Sequence, residues 1–343
     1  MPQTQKAFFL TAAHEYEISE RAIPKPSSDE ILVKVKSISL NPIEWKLKDH
    51  GFDFLIKEYP AVLGSDVAGD IVQVGKDVGD FKEGDKVFFE SSAYHGSNYG
   101  AFQEYVLVPA EIASKMPPNL SYNEAASIPL ALTTAAIGLL APIPAGSGLN
   151  PTIDPNVKHT GQSAFVAGGG TSVGQFAIQL LKYLDFKHII TNSAAEHFDY
   201  LRSLGATDVI DRNKVPDNEL PKIIQDIVGG KVDAAIDTVG SPASRAAAVA
   251  CLKDGAHLGT VLRLPETEVC KGTMVRHIWG SGWVEVNREF GKVLAVRMGE
   301  LFESGVLKPC RIVELSGGLD AIPGGLQDLK DNQFRGHKVV IAL

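Results

Sequence analysis

One stretch, Gln162 to Lys182, constrains this chain more than any other. Ser163 to Ala167 is a short apolar run of the kind that forms a buried strand. Gly168, Gly169, Gly170 and Gly174 make a sharp turn, after which Phe176, Ile178, Leu180 and Leu181 recur at helical spacing. A strand, a glycine turn and a helix in that order present backbone N–H groups and a helix N-terminus to an anion such as a pyrophosphate. A Cβ in the turn would block that approach. The spacing Gly168-x-Gly170-x-x-x-Gly174 is one residue longer than the common G-x-G-x-x-G form. A second strand, His188 to Thr191, follows about 20 residues on, as a dinucleotide motif requires. The competing reading is a glycine turn that binds nothing.

With 343 residues the chain can build two domains with cores of their own. A hydrophobic content of 44% and a charged content of 22% are those of a soluble globular protein. The net charge of −8 argues against a nucleic-acid or anionic-membrane surface. No apolar run approaches a membrane span, and Met1 to Lys6 lacks a secretory core. Cys251, Cys270 and Cys310 are too widely spaced for a metal cluster or a disulfide framework, so a reducing cytoplasm is expected.

The first third reads as β-structure. Lys6–Leu10, Ile31–Leu40 and Ala101–Val108 are expected strands, and Ile43–Lys46 a helical turn after the Asn41-Pro42 break. Val62 to Gly75 reads as strand, bend and strand, with Gly64 and Gly69 at a tight barrel corner. Phe81 to Phe89 holds a Gly-Asp turn and a strand, and Tyr94 to Gly100 is loop. Ser121 and Glu124 have the spacing of a capping box, and Thr133–Leu140 is helical. Ala141 to Thr160, with four prolines, is a long surface loop. Strands are then expected at Ser163–Ala167, Lys187–Thr191, Asp208–Ile210, Ala234–Asp237 and Ala256–Leu262, with helices between most of them. That alternation predicts an α/β fold with a doubly wound parallel sheet. A helix over Asn287–Ser304 ends at Gly305, and Arg311–Leu315 and His337–Leu343 are strands again.

Asn41–Lys46, Leu63–Gly69, Phe81–Val87, Gly168–Gly174 and Leu204–Ala206, in that order, resemble the medium-chain dehydrogenase/reductase superfamily over essentially the whole length. Within it the chain looks most like the zinc-independent, quinone oxidoreductase-like members, above all the fungal trans-acting enoyl reductases. The proline-rich loop and the Gly-Gly-Gly-Thr-Ser-Val-Gly turn point there. The resemblance implies a GroES-like β-barrel domain from residues 1–124 and 286–343, a Rossmann domain over 125–285, and an active site in the cleft. It implies NADP(H) as cofactor, held by Trp45, Lys46, Gly168, Gly169, Gly170, Thr171, Ser172, Val173, Gly174, Ser193, Arg212, Leu262, Gly336 and His337. Lys46 and Thr134 are the implied catalytic residues, against the plainer readings of a solvated lysine and a helix threonine bonded to its own turn.

Zinc members of the superfamily need a thiolate or imidazole where this chain has Asn41, and Gly-His-Glu where it has Gly64-Ser65-Asp66. No cysteine precedes Cys251, so no metal site is expected and Asp66 reads as a buried carboxylate accepting turn N–H bonds. Reduction of a conjugated C=C fits such a site better than alcohol oxidation, because the carbonyl can take up charge through a hydrogen bond. Phe52 and Phe54 stand near Gly51, where several relatives carry a proton-donating tyrosine, leaving Tyr59, Tyr94 or water. At the end of the second Rossmann strand the NAD enzymes place an acid. Here Ser193 and Glu196 have capping-box spacing, so Glu196 is expected to turn back to its helix and leave a neutral pocket that suits NADP. The expected substrate is an α,β-unsaturated carbonyl or acyl thioester, with a polyketide synthase carrier domain as a partner and a monomer or homodimer as the assembly. A quinone reductase and a non-catalytic nucleotide-binding protein of the crystallin or sensor kind are the rival functions.

Overall fold

A computed structural model describes residues 3–49, 55–262 and 273–343. Along the first part of the chain run β1 (Thr4–Leu10), β2 (Tyr16–Ala22), β3 (Glu30–Leu40), α1 (Pro42–Asp49), β4 (Ala61–Val62), β5 (Asp66–Val74), β6 (Lys86–Glu90), β7 (Tyr105–Pro109), β8 (Ser114–Lys115) and α2 (Tyr122–Ala126). Then follow α3 (Pro129–Leu140), β9 (Ser163–Ala167), α4 (Ser172–Tyr183), β10 (His188–Ser193), α5 (Phe198–Leu204), β11 (Asp208–Asp211), α6 (Leu220–Val228), β12 (Ala234–Asp237), α7 (Pro242–Cys251), β13 (His257–Thr260) and β14 (Met274–His277). The chain closes with α8 (Glu285–Glu303), β15 (Ile312–Leu315), α9 (Ile322–Lys330) and β16 (Lys338–Ala342). Two compact units result: residues 1–130, 295–303 and 309–343 form one, and residues 131–294 and 304–308 the other.

The first unit is β-rich. A sheet of order β15-β16-β3-β5-β6-β8, with β7 also on β3, accompanies a three-stranded sheet β2-β1-β4. The long β3 lies at the centre, and nearly all its residues are buried. Its pairing with β5 slips twice, between Leu32 and Val33 and between Val35 and Ser37, and such bulges bend a sheet towards closure. Gly69 sits at the second slip, where a Cβ would run into the Lys34 carbonyl and the Val33 side chain. Gly64, at the corner before β5, has φ +97 and packs under the Phe102 ring.

The second unit is a six-stranded parallel sheet of order β11-β10-β9-β12-β13-β14. In chain order this is 3-2-1-4-5-6, the doubly wound arrangement, whose direction reverses between β9 and β12. Phe165, Ala167, Ala235 and Leu258 face α6 and α7, whose Leu220, Ile224, Ala247 and Ala248 complete a core cluster. On the opposite face α3 comes so close that a Cβ on Gly138 would lie 2.6 Å from Ile278 and 3.0 Å from Ile236. No helix among the described residues is long and apolar enough to cross a membrane.

The capping box at α2 is present: Ser121 Oγ accepts the Glu124 amide, and Glu124 Oε2 accepts the Ser121 amide at 2.9 Å. Ser121→Ala should therefore lower stability by about 1 kcal/mol, read from urea unfolding, because one helix-end amide loses its acceptor.

Candidate functional site

In the second unit, β9 ends at the switch point and the glycine turn follows it. Each glycine answers to a different neighbour. Gly168 has φ +83, and a Cβ there would lie 2.5 Å from Val239. A Cβ on Gly169 would press on the Thr191 side chain, and one on Gly174 would meet the Gly168 carbonyl and lie 2.8 Å from Gly169 Cα. These three contacts hold the turn against the segment after β12, against β10 and against α4. Gly170 differs: its Cβ would point at Ser193 Oγ (2.8 Å) and the edge of His197 (3.3 Å).

Side chains beyond the turn pin its backbone. The Gly168 amide donates to Asn192 Oδ1 (2.8 Å) and the Gly169 amide to Thr191 Oγ1 (2.9 Å). Thr238, just after β12, donates to the Ala167 carbonyl (2.7 Å) and lies 2.8 Å from Thr171 Oγ1. Thr171 caps α4 by accepting the Gly174 amide (3.0 Å). The amides of Gly170, Ser172 and Val173 are left with no hydrogen-bond partner among the described residues. Three unmatched N–H groups at a helix N-terminus, on a turn without side-chain bulk, are the donor set a pyrophosphate needs. The residues here fit a dinucleotide.

At the end of β10, Ser193 is buried and its carbonyl accepts the Arg212 amide (3.0 Å), while the Arg212 side chain is exposed. The expected capping box between Ser193 and Glu196 does not form. Ser193 is still part of the strand, and the next element is a single 3-10 turn, Ala195–His197, with Ala194 as its cap and no side-chain cap bond. Glu196 is therefore exposed, with its carboxylate 3.4 Å from His197 Nε2. Leu262, after β13, packs on Gly240. Thr134 is buried in α3, its Cβ 2.9 Å from the position a Cβ would take on Gly280.

In the first unit, α1 carries Trp45 and Lys46. The Lys46 ammonium is half-buried, stands 5.6 Å from the Trp45 ring centroid, and burial lowers its pKa. It is thus not the fully solvated lysine of the plainer reading. Gly336 takes φ +70 and His337 Nδ1 lies 2.9 Å from the Arg335 carbonyl, in the turn before β16. Burial, with Glu44 and Glu90 nearby, pushes the Tyr94 phenol far up, and Tyr59 stands 6.1 Å from the His14 ring. Gly51, Phe52, Phe54 and Cys270 lie outside the described residues.

A buried polar centre that the sequence did not announce lies at the foot of α1. Asp66 is wholly buried; its Oδ1 accepts the Leu130 amide (2.6 Å), and its Oδ2 accepts Ser39 Oγ (2.6 Å) and Asn41 Nδ2 (2.8 Å). The Lys338 ammonium stands 3.0 Å from the same Oδ2 and also donates to Asn41 Oδ1. Glu44, equally buried, accepts the Asn41 amide (2.6 Å) and Ser65 Oγ (2.9 Å). Asp66 is a buried carboxylate, as expected, but the amide it accepts is Leu130's at the start of α3 and not one of its own turn, and its charge is met by a lysine 272 positions away (338 − 66). Zinc does not fit this donor set. Asn41 and Ser65 stand where a thiolate and an imidazole would be needed, and an ammonium already faces Asp66.

Two predictions follow from this geometry. Gly174→Ala should cost about 1–3 kcal/mol, since a rigid backbone meets the new methyl, whereas in Gly170→Ala a serine hydroxyl can rotate away and the loss should be smaller. Thermal melts of the two variants decide it. The second concerns Glu44, whose carboxyl burial raises from 4.5 to about 8, with Asp66 adding to the rise and Ser65 and Lys338 opposing it. The folded state therefore holds a proton that the unfolded chain has released, so stability falls as pH rises through that window. Glu44→Gln should flatten the fall in melting temperature between about pH 5 and pH 8; an unchanged slope would locate the titration elsewhere.

Two family models match: the alcohol dehydrogenase GroES-like domain over residues 27–118 and the zinc-binding dehydrogenase over 172–279. Dehydrogenase azaJ of Aspergillus niger is 32% identical over 341 aligned residues, covering 95% of each chain. Trans-enoyl reductase tndF of Aspergillus flavipes is 30% identical, again over 95% of each. Dehydrogenase pigH of Monascus ruber is 38% identical over a shorter match, which spans 57% of this chain and 53% of that protein. A mycobacterial protein solved in complex with NADPH shares the fold, with TM-score 0.77 at 23% identity over 99% of this chain and 100% of its own. The β-rich unit, the parallel sheet of order 3-2-1-4-5-6 and the full-length matches place this chain in the medium-chain dehydrogenase/reductase family, among relatives that include the fungal trans-enoyl reductases.

Proposed function

We propose that this oxidoreductase reduces the C=C bond of an α,β-unsaturated carbonyl or enoyl thioester with NADPH, without a metal. The observation that carries the reading is the set of unmatched amides at Gly170, Ser172 and Val173, on a turn at the switch point of the sheet. A reduced nicotinamide, when bound, would supply the hydride to the β-carbon and leave as the oxidised cofactor, and water or a tyrosine such as Tyr94 would give the α-carbon its proton. The protein's part is to hold and polarise. The turn amides and the α4 N-terminus would take the pyrophosphate, and the buried Ser193 would meet the adenosine ribose. The Arg212 backbone amide is bonded to the Ser193 carbonyl, which puts an exposed arginine on the segment beside Ser193, and the Glu196 carboxylate is turned towards His197. That arrangement favours the 2′-phosphate of NADP over a bare 2′-hydroxyl.

Lys46 and Thr134 are proposed to donate hydrogen bonds to the cofactor ribose or the substrate carbonyl, where charge develops as hydride adds. A partly desolvated ammonium does this more strongly than one in water. The full-length likeness to a trans-enoyl reductase supports the alkene as substrate and secondary metabolism as the setting. A carrier-bound thioester is the natural form of such a substrate, which would make a synthase carrier domain the partner.

The test is a panel of an enoyl thioester, an enone and a quinone, each with NADPH and with NADH. Turnover of the conjugated alkenes with NADPH is expected; turnover of the quinone alone would make this a quinone reductase, and none with any acceptor would favour a nucleotide-binding protein. Lys46→Ala should lower kcat/KM for the alkene by about 1–3 kcal/mol in transition-state terms, the usual loss for one unmatched polar partner.

A further inference from the structure

The centre formed by Ser39, Asn41, Glu44, Asp66 and Lys338 belongs to no step of the proposed reaction, yet it is the largest buried polar cluster described above. Five polar side chains, from β3, the Asn41 link, α1, β5 and β16, meet there and are buried, with the half-buried Ser65 just before β5 beside them. Such a cluster is costly to bury unless every charge is met. Lys338 meets the Asp66 charge and orients the Asn41 amide group, since its ammonium on Oδ1 leaves Nδ2 to face Asp66.

Two helices begin on this cluster. Asn41 is the residue before α1, and its backbone amide is held by Glu44 in half of a capping box. The Leu130 amide, in the first turn of α3, is held by Asp66, a carboxylate at a helix N-terminus. Trp45 and Lys46 lie on α1, and Thr134 lies one turn further along α3. Asn41 and Ser65 are also the positions at which zinc relatives carry ligands. Here the fixed charge at these strand ends is a side chain of β16.

We propose that Lys338 is the resident cation of this centre and a positioning residue: its ammonium holds Asp66 and Asn41, and through them the first turns of α1 and α3. The proposal rests on the reading of Lys46 and Thr134 as functional only for its consequence in catalysis; the positioning itself is read from backbone protection. Lys338 is not a catalytic residue, since it reaches these helices through Asn41 and Asp66. The centre takes no zinc, because a dication would have to displace an ammonium that is bonded to two of its neighbours.

Hydrogen–deuterium exchange of the full chain, read by mass spectrometry, tests this. In Lys338→Met, amides of Ile43–Asp49 and of the first turns of α3 should exchange about tenfold faster than in the native protein, while α6 and β9 keep native rates. The single variant leaves Asp66 buried and unpaired and could fail to fold. Lys338→Met/Asp66→Asn removes both charges and carries the same test. It should recover the melting temperature and still show fast exchange in α1, because no cation orients Asn41. Native protection of α1 in either folded variant, or a rise spread evenly over the whole chain, would overturn the proposal. Zinc added to the native protein and dialysed should leave none bound. One zinc per chain that disappears in Asp66→Asn would equally overturn it. A protein that shows this exchange pattern but reduces no alkene would lose the proposed substrate and keep the positioning role.

Discussion

The backbone of α4 touches the backbone of the turn that precedes it, and most of the second unit follows from that contact. Gly174 lies against the Gly168 carbonyl and Gly169 Cα at a distance no side chain would permit. Only then can the helix start directly over the end of β9, with Thr171 as its cap. Capping uses the Gly174 amide, and the amides of Gly170, Ser172 and Val173 keep no partner among the described residues. Because β9 neighbours both β10 and β12, residues from both strand ends can reach the turn. Thr191 and Asn192 hold it from one side and Thr238 from the other. The proposed anion site is thus a product of sheet order as much as of glycine.

In the first unit the corresponding constraint is electrostatic. A buried carboxylate needs a partner, and Asp66 has a lysine, two side-chain donors and a helix amide. Glu44, beside it, escapes the cost of a second buried charge by holding its proton to about pH 8. One ammonium, one carboxylate and one neutral carboxyl leave the centre without net charge.

Strands that are buried on both faces were legible. β9 has the expected bounds, and β12 does too, because an apolar run bounded by turn residues has few other fates. β10 runs on to Asn192 and Ser193, polar residues whose burial depends on the glycine turn above them. β2 and β14 carried no readable pattern: both are edge strands, only partly buried, with charged side chains such as Glu17, Arg21 and Arg276. The turn expected at Ile43–Lys46 is a two-turn helix because Leu47 finds a buried place beyond it. The glycine site could be read locally since its parts lie within one βαβ unit. The Asp66 centre could not, because Asn41 and Lys338 are 297 positions apart and only the β3–β16 pairing joins them. The one local sign was Asn41-Pro42-Ile43-Glu44, which has capping-box spacing. Read alone, Ser193 and Glu196 showed the same spacing and formed no box, because a 3-10 turn stands where a helix would be needed.

The proposed reaction delivers a hydride to carbon–carbon unsaturation, and isotope transfer tests it most directly. NADPH carrying deuterium at the transferable C4 position should place one deuterium on the β-carbon of an enone or enoyl thioester, read by NMR of the saturated product. Deuterium on the carbonyl carbon of an alcohol product, or product without label, would contradict the account.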